Sequence, residues 1–334
     1  MKILVIGGNG QLGFELQRAL SIFGDVSITT RNSKCPAGYP CLHLDLNDAD
    51  ATSTLLEQIR PHVIVNAAAY TAVDLAQSEP TRAQAINTNA VATLGRKARE
   101  LSAMLVHFST DYVYSGENQI PWTERDPTAP QSVYGSSKLR GDLAVIDSEC
   151  AHWIIRTQWL YAARGNNFMR TILRLGAAQL EARANGGELS PINIVNDQFG
   201  APTPVRWIAG AVASMISRWL QDLTLPGQSR TGTYHLTAAG QTNWFEFANE
   251  IFHQAFVLGL MPEQPKTTPV SSKVFAAKAP RPRYSVLSNS KIAREFDIRL
   301  PDWRDGLAQT LAEYKLTLPV SERSSSRREI PIVR

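Results

Sequence analysis

The first half of the chain alternates between short apolar runs and longer segments in which apolar residues recur every three or four positions. Short apolar runs are typical of strands buried on both faces, and the longer segments are typical of helices that cover such strands. Runs and segments in this alternation predict an α/β fold with a doubly wound, Rossmann-like parallel sheet. We predict strands at residues 2–6, 26–30, 41–46, 62–66, 104–109 and 153–156.

Helices are predicted between these strands at residues 11–23, 49–59, 83–102 and 132–147. After Arg156 the pattern is less regular, with helices predicted at 166–183, 204–220, 244–258 and 302–314 and short strands at 192–195 and 234–236. We therefore predict one domain at residues 1–156 and a smaller C-terminal α/β lobe at 157–318, from which the chain can cross back into the sheet. Residues 319–334 are rich in Ser and Arg without apolar periodicity, which predicts a disordered tail.

A glycine-rich turn lies between the first predicted strand and the first predicted helix. It contains Gly7, Gly10 and Gly13, with Gln11 and Leu12 at the start of the helix. The spacing differs slightly from the dinucleotide fingerprint Gly-x-Gly-x-x-Gly, but two glycines still permit a tight turn and the third permits close packing of the helix on the strand. Because the N-terminus of a helix attracts phosphate, the turn predicts a dinucleotide site.

Residues after the next strands indicate how the rest of a dinucleotide is held. Asp45 and Leu46 end the third strand, where an Asp can lie beside an adenine ring, and Ala67–Ala69 are small enough for backbone to approach the cofactor. Arg31 follows the second strand, where an NAD enzyme often has an acidic residue on the ribose 2′-hydroxyl. A cation there suits the 2′-phosphate of NADPH. Arg31 is interpreted equally well as a solvated loop residue.

Tyr134 and Lys138 stand four residues apart in a predicted helix, so their side chains rise from one face. An ammonium group close to a phenol lowers the pKa of the phenol and allows proton exchange near neutral pH. Thr110 and Asp111 follow the fifth strand, at the edge where an open α/β sheet holds its ligand. The Thr110 hydroxyl can hold a carbonyl oxygen beside the phenol, which predicts carbonyl reduction. Taken alone, the Tyr-Lys pair is better interpreted as two surface residues of a helix.

Composition narrows the class of protein. The 334 residues have a formal net charge of +4 and no basic block within the predicted fold, so no nucleic-acid partner is expected. The chain begins on a strand-like run, has no apolar segment of membrane-spanning length, and its three cysteines include no Cys-x-x-Cys pair. We therefore expect free thiols, no membrane association and a cytoplasmic location.

Several stretches of the sequence carry a resemblance to a known family. They are the glycine-rich turn with its helix, Val65–Asp74, Ser109–Tyr114, Tyr134–Lys138, Arg156–Tyr161, Gly165–Phe168, Asn196–Thr203, Arg281–Ser285 and Leu300–Trp303. Together they resemble the dTDP-4-dehydrorhamnose reductases, which belong to the extended short-chain dehydrogenases/reductases. The stretches after Tyr134 are specific to this family rather than to the fold.

The resemblance implies reduction, with NADPH, of the 4-keto group of dTDP-6-deoxy-L-lyxo-4-hexulose, also called dTDP-4-dehydro-L-rhamnose. This is the last step of dTDP-L-rhamnose synthesis for cell-surface polysaccharide such as lipopolysaccharide O-antigen, and acceptance of NADH is left open. It implies that Tyr134 donates the proton, that Lys138 lowers its pKa and holds the nicotinamide ribose, and that Thr110 orients the carbonyl. The lobe at 157–318 would then bind substrate.

The resemblance also implies contacts to the sugar nucleotide. Asp111, Trp159 and Asn167 would contact it, and Arg281 and Arg283 would meet its diphosphate. Trp159 is interpreted equally well as a core residue. The two arginines can also be interpreted as part of a basic solvated loop.

Some members of the family are described as Mg²⁺-bridged homodimers that use acidic side chains. Glu15 matches that pattern, but Ser190 and Pro191 stand near the place where acids are expected. Both the metal and the homodimer are therefore left open.

Three other functions fit parts of the sequence. A nucleotide-sugar reductase or epimerase of the same superfamily shares most motifs, although epimerases usually have an acid where Arg31 stands. A non-catalytic relative, the NADP-binding regulatory subunit of methionine adenosyltransferase, shares the fold, but the intact set Thr110, Tyr134 and Lys138 favours an enzyme. Nothing in the sequence favours a scaffold that merely binds nucleotide.

Overall fold

A computed structural model describes residues 1–32, 41–187, 190–222, 230–275 and 277–319 of the chain. Its strands are β1 (Lys2–Ile6), β2 (Asp25–Thr30), β3 (Cys41–His43), β4 (Val63–Asn66), β5 (Met104–Thr110), β6 (His152–Thr157), β7 (Leu160–Tyr161), β8 (Ile192–Val195), β9 (Phe199–Gly200), β10 (Thr203–Pro204), β11 (Gly232–His235), β12 (Thr242–Asn243) and β13 (Thr267–Val270).

The α-helices cover both faces of the sheet and build the C-terminal part of the chain. They are α1 (Gln11–Leu20), α2 (Ala49–Ile59), α3 (Val73–Ala76), α4 (Pro80–Gln84), α5 (Ala90–Leu101), α6 (Val133–Asp147), α7 (Phe168–Ala184), α8 (Val205–Asp222), α9 (Trp244–Val257), α10 (Ser272–Phe275), α11 (Ser290–Phe296) and α12 (Trp303–Thr317).

In the part of the chain described, seven strands form one parallel sheet in the order β11-β6-β5-β4-β1-β2-β3. The order reverses between β1 and β4, which is the switch point at which doubly wound sheets bind ligands. The predicted Rossmann-like fold is therefore confirmed. The strand predicted at 234–236 becomes β11, through which the chain returns to the sheet beside β6.

Residues of the central strands are buried on both faces, which explains their unbroken apolar runs. Ile3 and Val5 of β1 pack with α1, α8 and α11, whereas Leu4 and Ile6 pack with α2, α5 and α6. Successive residues of a strand point to opposite faces, so both faces need an apolar cover. A third core, centred on Phe247, joins α7, α9 and α12 in the C-terminal part.

Two predicted elements differ from the structure. The strand predicted at 41–46 ends at His43, because the carboxylate of Asp45 accepts the backbone N–H of Asn47 at 3.0 Å and starts a turn. The helix predicted at 83–102 begins earlier, at Pro80, and its residues Ala85–Asn89 form a π-helical turn between α4 and α5.

The expectation for the cysteines is confirmed at one position and wrong at another. Cys150 is a buried free thiol, whereas Cys41 is disulfide-bonded. Residues 320–334 of the predicted tail lie outside the described residues, and the domain division after Arg156 stays a prediction. No helix in the described ranges is long and apolar enough to cross a membrane.

Candidate active site

A cavity of about 760 Å³ lies at the carboxyl ends of β1, β2, β4, β5 and β6. Parallel strands direct the residues that follow them to this edge, so distant motifs meet there. Most residues predicted from the sequence line it: Gly7, Gly10, Gln11, Leu12, Arg31, Asp45, Leu46, Ala67, Ala68, Ala69, Thr110, Asp111, Tyr134, Lys138 and Trp159.

The glycine-rich turn brings backbone close to backbone. Gly7 has φ +85°, and a Cβ there would lie 2.9 Å from the backbone nitrogen of Ala68. A Cβ on Gly13 would lie 2.2 Å from the carbonyl oxygen of Gly7, so Gly13 allows α1 to approach the turn although it does not line the cavity. Gly10 is the N-cap of α1 and forms no side-chain cap, so the first turn of α1 can offer backbone N–H groups to an anion.

Helix α6 carries Tyr134 and Lys138 and is fixed at its start and along its side. Ser132 caps it by accepting the backbone N–H of Gly135 at 3.1 Å. Asn87, in the π-helical turn, donates from its amide to the Ser137 hydroxyl at 3.0 Å. These contacts hold the catalytic candidates against the sheet, which is the positioning that proton transfer requires.

Tyr134 lines the cavity together with Thr110, and its ring lies edge-on to the Tyr112 ring at 5.5 Å. Desolvation raises the pKa of Tyr134 above its ordinary value, and the Thr110 hydrogen bond opposes that rise. The phenol is therefore protonated at neutral pH, the form that a proton donor needs.

Lys138 is buried against β5. Its Nζ donates to the carbonyl oxygen of Phe108 at 2.6 Å and lies 3.3 Å from His107 Nε2. Burial lowers the pKa of Lys138 to about 8, while Asp142 opposes the change. The ammonium contacts Phe108 and His107, and desolvation is the largest influence on the pKa of Tyr134, so the lowering of that pKa by Lys138 stays a prediction.

Asp111 is a buried carboxylate beside Thr110. The Thr110 hydroxyl donates to Asp111 Oδ1 at 3.0 Å. Burial raises the pKa of Asp111 to about 6, although hydrogen bonding to the carboxylate opposes the rise. Its Oδ2 is buried without a hydrogen-bond partner among the described residues, so this oxygen is available to a hydroxyl donor in the cavity.

Two stacked tryptophans form one wall of the cavity. The rings of Trp159 and Trp244 lie 3.5 Å apart at an interplanar angle of 11°, and Phe168 packs on Trp244 at 4.5 Å. Trp159 has φ +48°, a left-handed conformation that is uncommon outside glycine. Packing thus holds Trp159 in a strained turn with an aromatic surface toward the cavity.

Three residues expected to bind substrate lie outside the cavity lining. Asn167 caps α7 by accepting the Arg170 N–H at 3.1 Å, and its amide donates to Gln11 at 2.7 Å. Arg281 forms an ion pair with Asp74, and Arg283 is exposed. Their roles as ligands stay predictions.

Sequence reasoning missed several residues of the cavity. Thr157 ends β6 and Gln158 follows it, so the strand-end rule that placed Thr110 would have found them. Trp244 and Thr71 gave no such signal, since Trp244 starts a helix far along the chain and Thr71 lies in a loop.

The described ranges contain no group of three or more His, Cys, Asp or Glu residues that could hold a metal ion. Glu15 is buried and pairs with Arg18 at 3.8 Å. The expectation of Mg²⁺ therefore has no support in this structure.

Comparison with known proteins agrees with this site. The sequence matches the family described as "RmlD substrate binding domain" over residues 1–316. It is 38% identical to the dTDP-4-dehydrorhamnose reductase of Escherichia coli K12, covering 96% of this chain and 100% of that protein. It is 40% identical to the dTDP-4-dehydrorhamnose reductase of Burkholderia thailandensis, covering 91% and 96%.

A solved structure shows the same architecture. The dTDP-4-dehydrorhamnose reductase of Bacillus anthracis, in complex with NADP, superposes with a TM-score of 0.79 at 32% identity, covering 93% of this chain and 99% of that one. The fold and the site define a Rossmann-type oxidoreductase that uses a nicotinamide cofactor. Within that class, the chain belongs to the RmlD substrate-binding-domain family.

Proposed function

We propose that this enzyme reduces the 4-keto group of dTDP-4-dehydro-L-rhamnose to give dTDP-L-rhamnose, with NADPH as the reductant. The observation that carries the proposal is the meeting, in one cavity, of the glycine-rich turn with Thr110, Tyr134 and Lys138. Relatives named for this reaction support the choice of substrate.

The proposed chemistry assigns one task to each side chain. Bound NADPH supplies a hydride to the carbonyl carbon. Tyr134 donates its phenolic proton to the carbonyl oxygen, and burial supports this role because it keeps the phenol protonated. Thr110, in the same cavity, holds the same oxygen through its hydroxyl. Lys138 holds the nicotinamide ribose from the buried side of the cavity.

We assign the cofactor's pyrophosphate to the first turn of α1 and its adenosine to the region of Asp45 and Leu46. Arg31 is exposed at the rim of the cavity, directly after β2, and it would pair with the 2′-phosphate of NADPH. Preference for NADPH over NADH follows from that contact.

The sugar nucleotide is proposed to lie between Asp111 and the tryptophan wall. Asp111 Oδ2 would accept a sugar hydroxyl, since it is buried without another partner in the described residues. The face formed by Trp159 and Trp244 suits a flat ring or the apolar face of a sugar. Binding energy from such remote groups orients the keto carbon and so raises turnover.

The test is NADPH oxidation by the purified enzyme with the keto-sugar made in situ from dTDP-glucose by the upstream dehydratase and epimerase. We expect turnover with the nucleotide-linked sugar, essentially none with the free sugar, and competition by dTDP. Lack of turnover, with no inhibition by millimolar dTDP, would contradict the proposal and favour an NADP-binding regulatory role. A homodimer stays a prediction.

A further inference from the structure

A group of buried polar side chains lies behind Lys138. Asp142 follows Lys138 by one helical turn in α6, and His107 lies in β5; both are 0% exposed. His107 Nε2 is 3.3 Å from Lys138 Nζ and 3.9 Å from Asp142 Oδ1. The three side chains therefore form one cluster, of which the proposed chemistry uses only Lys138.

His107 lies between Asn66 and Lys138. Its Nδ1 is 3.2 Å from the Asn66 amide nitrogen, and its Nε2 faces the Lys138 ammonium, which can only donate. Burial and the nearby Lys138 hold the pKa of His107 well below its usual range. The ring is thus neutral and cannot balance the charge of Asp142.

Asp142 is shared between two cations. Its Oδ2 accepts from the Ser109 hydroxyl at 2.8 Å and from Arg156 Nε at 3.2 Å, and Arg156 also donates to the Tyr114 hydroxyl at 2.8 Å. Its Oδ1 has no hydrogen-bond partner in the described residues and lies 3.9 Å from His107 Nε2. One carboxylate therefore serves Arg156 by contact and Lys138, one helical turn away in α6, through its charge.

We propose that Asp142 is a positioning residue that keeps Lys138 protonated over the pH range in which the enzyme works. Without the carboxylate, two buried cations would share one apolar region. Arg156 does not release a proton in proteins, so Lys138 would do so. The attraction of Asp142 already opposes the burial that lowers the pKa of Lys138 to about 8.

The other groups around the ammonium do not replace Asp142. Tyr134 on the same helix is protonated, His107 on β5 is neutral, and Asn66 on β4 carries no charge. Arg156 on β6 repels the ammonium. The inference rests on the proposed role of Lys138 in holding the cofactor ribose.

The experiment is the pH dependence of kcat/KM for the keto-sugar, measured with saturating NADPH on the full chain. Asp142→Asn should move the alkaline limb of the pH profile to lower pH by about one unit. One unit is about the lower end of the pKa shift that a nearby opposite charge produces. Asp142→Glu keeps the charge and should restore the limb. Asp142→Ser also removes the charge, with a smaller side chain, and should move the limb in the same direction as Asp142→Asn.

Loss of the charge in Asp142→Asn and its return in Asp142→Glu separate this role from a structural one. If Asp142→Asn lowers activity equally at all pH values and leaves the limb in place, the inference is overturned. If that variant does not fold, Asp142→Ser decides, because an unmoved limb in Asp142→Ser overturns the inference as well. Lys138→Met tests the proposed function separately. Full turnover in Lys138→Met would contradict both the proposed role of Lys138 and the inference about Asp142. Lost turnover in Lys138→Met together with an unmoved limb in Asp142→Asn would contradict the inference alone.

Discussion

Arg281 and Asp74 form a two-pronged ion pair between distant parts of the chain: Nη1 lies 3.2 Å from Oδ1, and Nη2 lies 2.8 Å from Oδ2. Asp74 also accepts the backbone N–H of Ala279 at 3.0 Å. The carboxylate thus ties the segment around residues 279–281 to α3 and balances the charge of Arg281. A diphosphate bound at Arg281 would have to compete with this carboxylate.

Asp74→Asn and Arg281→Gln should therefore have similar effects. Each should lower the free energy of unfolding by up to about 1 kcal/mol, because the pair is partly exposed. Each should also weaken dTDP binding modestly by loosening residues 279–281. Thermal unfolding and dTDP titration measure both, with Arg125→Gln, at an exposed residue outside the cavity lining, as the control. If Asp74→Asn strengthens dTDP binding while Arg281→Gln weakens it, Arg281 contacts the diphosphate directly.

Tyr134→Phe should reduce kcat by about 10²-fold or more, since a positioned acid contributes that much. NADPH affinity should stay unchanged because the ring is retained. Stopped-flow reduction and NADPH fluorescence titration give the two quantities. Tyr112→Phe is the matched control, with a ring 5.5 Å from that of Tyr134 in the same cavity, and it should lose much less turnover. Equal losses of kcat in both variants would show that Tyr134 is not the proton donor.

Arg31→Asp should lower the ratio of kcat/KM for NADPH to that for NADH by about tenfold or more, the size expected for losing a charge-assisted contact to phosphate. Steady-state kinetics with both cofactors measure the ratio. Arg125→Asp makes the same charge change at an exposed residue outside the cavity lining and should leave the ratio unchanged. An unchanged ratio in Arg31→Asp means that Arg31 is a solvated loop residue.

Asp111→Asn should stabilise the fold at pH 8 while impairing turnover. The pKa of Asp111 is raised to about 6 in the folded protein, so the native state binds the proton more tightly than the unfolded state. Stability from this group is present below about pH 4 and is lost as the pH rises to about 6. The variant should gain on the order of 1–3 kcal/mol at pH 8 and less at pH 4. Denaturant unfolding at both pH values measures the difference, and an equal effect at both would refute the account.

Trp244→Leu should weaken dTDP binding about threefold to tenfold, the range expected for a lost aromatic contact. NADPH affinity should be little changed, because we place the cofactor at the first turn of α1 and near Asp45 and Leu46, not at the stacked tryptophans. Inhibition by dTDP and NADPH titration provide the measurements. Trp219→Leu, at a partly buried tryptophan outside the cavity lining, is the control. Comparable loss in both variants would point to general destabilisation.

The sequence predicted well what depends on strand order. Thr110 and Gly7 lie where the carboxyl ends of parallel strands must meet, so apolar runs and turn residues were sufficient to place them. It could not predict contacts between side chains that are far apart in the chain. The direction of the Lys138 ammonium depends on the Phe108 carbonyl and on His107, and neither partner has a local signal. The pairing of Arg281 with Asp74 spans 207 residues and was missed for the same reason.

Strand β11 also limits how this enzyme can be recombined with its relatives. β6 pairs with β5 on one side and with β11 on the other, and Trp153 of β6 is fully buried. A chimaera with a single junction after Arg156 would take β11 and the rest of the C-terminal part from the relative. Parental β6 would then have to pair with the β11 of the relative. An unmatched edge exposes backbone N–H and C=O groups and invites aggregation. Exchange of substrate specificity by grafting therefore needs two inserts, placed before and after Gly232–His235, with the parental strand kept between them.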